Sequence, residues 1–272
     1  MKEMNQESFD NLFAHLEEMT SSLAAFVSHY GLVEAMLYNS FCESAAYNDF
    51  IHYCFTKSTK HLKAAQLLLD NGFPEDAMVL SRSAYECYIS IKSGIEDPDL
   101  AVDDLVQNKV ALSTGRAEYV RTENGKINFR AIKYKGSEDL LKSPPSVEKL
   151  SVFLREEVSE SLHRFMYNLL SEHAHVHMMG SGNYRDPDNV KYTIASQRQK
   201  NNAVVFCLFF GILILSQAIR FEDVEEEEYE RCSCELSLAA SDLSDHIKSL
   251  NIKPWLKQEF STTLEHVVKI HT

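Results

Sequence analysis

The sequence predicts an all-α protein, a single helical bundle of seven to nine helices. Three observations predict it. Nine glycines and six prolines in 272 residues are too few breakers for many short strands. Apolar residues recur at spacings of three and four along most of the chain. Where that pattern stops, it stops at helix punctuation such as Asn71-Gly72 followed by Pro74. A hydrophobic share of 44% and a charged share of 25% suit a globular chain. A chain of this length needs neither disulfides nor a structural metal to hold its core.

The first helix is expected over residues 8–45, where Phe9, Leu12, Phe13, Leu16, Met19, Leu23 and Phe26 share a stripe. A second starts near Asn48 and runs to Asp70. Gly72 ends it and Pro74 opens the third, with Glu75 and Asp76 at the positive end of the helix dipole. So short a link predicts an antiparallel helical hairpin. The third helix is expected to stop at Gly94, and Asp97-Pro98 to open a fourth through "DPDLAVDDLVQNKVALST". Residues 122–145 lose the pattern and read as a long loop or small hairpin insertion around "GKINFRAIKY". Ser146 then caps a long helix expected to reach Met179, with Glu148 in its first turn. Gly180 to Asn189 is a turn cluster. Further helices are expected over 193–220, over 223–250 and from Pro254 onward. No repeat of 20 to 50 residues is visible, so residues 1–272 read as one domain.

The net charge is −13, from 27 basic and 40 acidic residues. That weighs against a general nucleic-acid coat, though a local basic groove is compatible with it. Arg121 to Gly136 is such a locally basic stretch. The acidic run Phe221 to Glu230 reads as a solvated helix start. Cys42, Cys54, Cys87, Cys207, Cys232 and Cys234 include no C-x-x-C pair, and they read as reduced thiols of a cytosolic protein. The N-terminus lacks a basic region followed by an apolar one, the mark of a signal peptide. The apolar run Ala203 to Leu215 has thirteen residues, short of the ~20 that span a bilayer, and reads as a buried core helix. A cytoplasmic protein with no membrane segment is therefore expected.

Two constellations could carry chemistry. In "SRSAYECY", Arg82 and Glu86 are four apart on one helical face among apolar neighbours. A buried guanidinium there needs acceptors from another helix. In "YNLLSEHAHVH", Tyr167, Ser171 and His175 form a stripe at i, i+4 and i+8. The stripe is expected to touch Arg82 and Glu86. One reading makes the five residues catalytic, with His175 as general base and Arg82 stabilising negative charge. The other makes them a buried network that fixes helix register. His173 and His177 have the i,i+4 spacing of a zinc pair but lack an evident third ligand. No metal or cofactor is expected.

The stretches "RSAYE" (Arg82 to Glu86) and "YNLLSEHAH" (Tyr167 to His175) resemble the R-S-x-x-E and Y-x-x-L-S-x-x-x-H signatures of a bacterial all-helical family of unknown function. Members occur in mobile or anti-phage defence neighbourhoods, and the similarity covers roughly residues 50 to 220. That family is reminiscent of HEPN domains, helical bundles that include toxin and defence ribonucleases. The resemblance implies a HEPN-like core, an RNA substrate, a homodimer with a composite site and a partner protein from the same operon. HEPN nucleases carry Arg, four to six residues, then His on one helix. This sequence departs from that, because Arg164 lies nine residues before His173 and eleven before His175. Arg82 would have to supply the guanidinium from a neighbouring helix. The alternative is a non-catalytic sensor or adaptor with a structural polar network.

Overall fold

The computed structural model describes residues 6–30, 43–175, 181, 183–185, 191, 192, 198–222 and 224–271. Nine α-helices and one small sheet are found among them. Helix α1 (Gln6–Tyr30) buries the expected stripe from Phe9 through Phe26 except for Phe13, which is half-buried against the core; residues 31–42 of the helix expected over 8–45 lie outside the described residues. Helices α2 (Glu43–Asp70) and α3 (Pro74–Glu96) form the expected hairpin. At the turn, the Phe73 amide donates to Leu68 O at 2.8 Å and the Gly72 amide to Leu69 O at 3.2 Å. Gly72 has φ 80°, so the helix closes with a left-handed residue that glycine adopts freely.

Helix α3 does not stop at Gly94. It runs two residues further, and Gly94 is buried inside it. A Cβ built there would lie 2.9 Å from Ile51 Cδ1 and 3.3 Å from Ala101 Cβ. The glycine serves close packing against α2 and the next segment. That segment is π-helical over Leu100–Asn108 and becomes α4 (Lys109–Ser113).

The hairpin insertion exists but begins before residue 122. Strands β1 (Ala117–Arg121), β2 (Ile127–Tyr134) and β3 (Leu141–Lys142) make an antiparallel sheet in that order. Gly125, φ 72°, sits in the β1–β2 turn. The pairing shifts between Tyr119 and Val120, leaving β2 residues 129–131 bulged. Ala117 and Ile132 are buried, and the Tyr134 hydroxyl donates to Asn108 Oδ1 at 3.2 Å, which anchors the sheet to the π-helical segment.

The long helix expected from Ser146 to Met179 is three pieces. These are α5 (Val147–Leu150), a 3-10 turn (Ser151–Leu154) and α6 (Glu160–Ala174). The break falls at residues 155–159. There Ser159 takes an extended conformation and its hydroxyl accepts from the Leu162 amide at 3.2 Å. Ser159 is thus the N-cap of a new helix, with Glu160 behind it.

Helix α7 (Lys200–Phe221) is the centre of the bundle, packed by α1, α2, α3, α8 and α9. Every residue from Ala203 to Ile219 is buried. By length and composition this helix could cross a membrane, which the thirteen-residue apolar run alone does not suggest. Helix α8 (Glu226–Ser249) carries Glu226, Glu227 and Glu228 in its first turn, as the acidic run predicts, and α9 (Pro254–His271) closes the chain. Cys54, Cys87, Cys207, Cys232 and Cys234 are free thiols. Cys42, His177 and most of the turn cluster expected over 180–189 lie outside the described residues.

Candidate functional site

The site forms where α3 packs against α6. Apolar residues bring the two helices together, with Met78, Tyr85 and Ile89 on α3 and Leu162, Met166 and Leu170 on α6 all buried. Polar side chains meet along one margin of this seam. Arg82 Nη2 donates to the Tyr167 hydroxyl at 2.9 Å and lies 3.0 Å from Glu86 Oε1. The Tyr167 hydroxyl itself donates toward the same Glu86 oxygen at 3.5 Å. The guanidinium carbon stands 5.1 Å from the centroid of the Tyr167 ring, a cation–π distance. Arg82 is 22% exposed and Glu86 34%, so the trio forms a half-open rim. Arg82 Nε is buried without a hydrogen-bond partner.

The network continues inward through a residue that sequence reasoning missed. His163 is one helical turn before Tyr167 and stacks on it at 5.8 Å. It is 1% exposed, and its Nδ1 shares a 2.8 Å hydrogen bond with the buried Tyr85 hydroxyl. Burial lowers the pKa of His163, against the opposing pull of Glu148, whose Oε2 is 3.6 Å from Nε2. Burial also raises the Tyr85 hydroxyl well above its ordinary value. The i,i+4 spacing of His163 and Tyr167 was the available signal.

Of the five expected site residues, Arg82, Glu86 and Tyr167 come together. Ser171 is half-buried on α6, and its carbonyl accepts the His175 amide at 3.1 Å. His175 is past the helix end, in extended conformation (φ −118°, ψ 147°), and its side chain is exposed. The expected three-residue helical stripe is therefore two residues long, because α6 ends at Ala174. Among the described residues the His175 side chain makes no hydrogen bond or ion pair with Arg82 or Glu86. His173 is half-buried in the last turn of α6, where burial lowers its pKa against the pull of Glu172.

A second polar centre lies deeper and has no counterpart in the sequence reading. Glu157, in the break before α6, is a buried carboxylate. It accepts from the Tyr88 hydroxyl at 2.5 Å, from Gln217 Nε2 at 3.0 and 3.1 Å, and from Arg220 Nη1 at 3.2 Å. Lys92 Nζ is 2.9 Å away and reaches Glu96 at the same distance. Burial pushes the Glu157 carboxyl up, but Tyr88, Lys92 and Arg220 together hold it below its ordinary value. These residues come from α3, the break and α7, so the centre ties the three together.

Fold and site define a helical-bundle protein with a half-open Arg–Glu–Tyr rim on a buried polar seam. Residues 48–192, more than half of the chain, match a family of unknown function (DUF5677), and the chain belongs to that family. Both motif-bearing helices and the sheet insertion lie inside the matched span. No curated protein and no solved structure matches the chain.

Proposed function

We propose that this chain is a HEPN-like protein of bacterial defence that cleaves RNA without a metal ion, as a cytoplasmic homodimer. The observation that carries this reading is Arg82, pinned by Tyr167 and Glu86 yet open to solvent on one side. A fixed guanidinium at a half-open rim suits a phosphodiester, whose charge grows in the transition state. The ribose 2′-oxygen attacks the adjacent phosphorus and gives its proton to a base. The bond from phosphorus to the 5′-oxygen breaks, and an acid protonates that oxygen. The products are a cyclic phosphate and a free 5′-hydroxyl. His175, exposed at the end of the helix that carries Tyr167, takes one proton-transfer role. The second copy's His175 takes the other, so the site is complete only in the dimer. Glu86, Tyr167 and Ser171 are positioning residues. A partner protein from the same operon belongs to this reading.

The test is cleavage of single-stranded RNA by purified protein beside the Arg82→Ala and His175→Ala variants. Both variants are expected to lose at least about 100-fold in rate, His175→Ala through proton transfer and Arg82→Ala through charge stabilisation. Equal cleavage by wild type and His175→Ala would overturn the assignment.

A second reading, a non-catalytic sensor or adaptor, is favoured by the position of His175 past the end of α6, with no hydrogen bond to the rim among the described residues, and by the inward run of the network to His163 and Tyr85. It expects Arg82→Ala to lower the melting temperature by several degrees and no cleavage by any form of the chain.

A further inference from the structure

The sheet insertion has a surface unlike the rest of the molecule. Residues 116–142 hold seven basic and four acidic side chains, a local +3 in a chain of −13. Lys126, Arg130 and Lys142 make no side-chain hydrogen bond or ion pair among the described residues, and Lys126, Arg130 and Lys142 are all exposed. Tyr119, Ile127, Phe129, Leu140 and Leu141 are exposed as well, five of the fifteen large exposed hydrophobics among the described residues. Phe129 is 67% exposed, and its ring stands edge-on to Tyr119 at 5.2 Å.

Anchoring the sheet does not require these side chains. The buried Ala117 and Ile132 and the Tyr134 hydrogen bond to Asn108 do that. Phe129 lies in the bulge at residues 129–131 and, apart from its contact with Tyr119, leaves most of its apolar ring in water. Exposed rings set among unpaired cations are the composition of a single-strand platform. Bases stack on the rings while Lys and Arg follow the phosphates. Duplex has no free base faces to offer.

We propose that the β1–β2–β3 sheet binds single-stranded RNA, with Phe129 and Tyr119 stacking bases and Lys126, Arg130 and Lys142 contacting phosphates. The proposal rests on the RNA reading above and names where the strand lies. Its test separates the two. The probe is a fluorescein-labelled 2′-O-methyl oligouridylate of about twenty nucleotides, which cannot be cut by 2′-oxygen attack, so binding is read whether or not the chain is a nuclease.

Anisotropy titrations with the full chain are expected to show binding that weakens as salt rises. Phe129→Ala is expected to weaken it about tenfold or more with an unchanged melting temperature, the loss of one stacked base. Lys126→Ala with Arg130→Ala is expected to weaken it and flatten the salt dependence. Three outcomes would overturn the proposal. They are no binding by wild type, full binding by Phe129→Ala, and equal capture of duplex RNA or polyglutamate.

Discussion

Lys92 Nζ lies 2.9 Å from Glu157 Oε1, and each of the two side chains is only 2% exposed. A carboxylate and an ammonium removed from water this far are stable only together. Tyr88, Gln217 and Arg220 fill the remaining lone pairs of the carboxylate, so its charge is met on every side.

Removing Glu157 leaves Lys92 with only the more exposed Glu96 as a partner, and leaves the buried Tyr88 hydroxyl and Gln217 amide without their acceptor. Glu157→Ala is expected to destabilise the chain by about 3 to 5 kcal/mol, the range for breaking a buried pair from one side. Arg220→Ala should cost about 1 kcal/mol or less, since that guanidinium is 40% exposed and screened. Chemical denaturation of both variants checks the order, and equal losses would count against Glu157 as the hub.

The rim at Arg82 is built differently, and its coupling should be small. Arg82→Ala combined with Tyr167→Phe is expected to give a coupling energy of about 0.5 to 1 kcal/mol, as for a half-exposed charged hydrogen bond. A double-mutant cycle by thermal or urea unfolding measures it. A coupling near zero would mean that the 2.9 Å bond does not persist in solution.

Acid should loosen the seam before it reaches the carboxylates. Burial lowers the pKa values of His163, His246 and His271 below the ordinary 6.5. The unfolded chain then takes up protons first, so stability is full above about 6.5 and falls as pH drops through the lowered folded values. Glu157, held below 4.5, adds the same trend further down, lost as pH falls through its lowered value. Glu75 and Glu222, raised by burial, oppose the trend as they near their unfolded value of 4.5. The melting temperature is expected to fall between about pH 7 and pH 5. His163→Asn keeps a nitrogen near Tyr85, removes the titration and should flatten that fall; an unchanged slope would exclude His163 as a contributor.

The helices were legible because their signal is local. The α1 stripe, the Gly72 stop and the Pro74 start depend on neighbours within a turn or two, and the structure keeps all three. Gly94 misled because its reason is a neighbour from another element, Ile51, and no local pattern announces it. The break before α6 was hidden by apolar residues that continue in phase across it, while Ser159 and Glu160 were its only local sign. For the site, the polar stripes of α3 and α6 predicted that Arg82 and Tyr167 would meet. Reaching two turns further, to His175, assumes a helix that continues past Ala174, where α6 ends. Glu157 could not be found, because its partners lie 60 or more residues away in sequence.

The burial of α7 has a consequence for how the chain is made. Its walls come from both directions: α1, α2 and α3 are synthesised before it, and α8 and α9 after it. A ribosome that has just released Phe221 has therefore produced a helix with the length and composition of a membrane span, with the cover from α8 and α9 still untranslated. Until α8 and α9 dock, that surface is open to any apolar partner, including another nascent copy. A chaperone that holds exposed apolar helices is expected to matter most between the release of Phe221 and of His271, although the folded bundle leaves almost none of that helix in view.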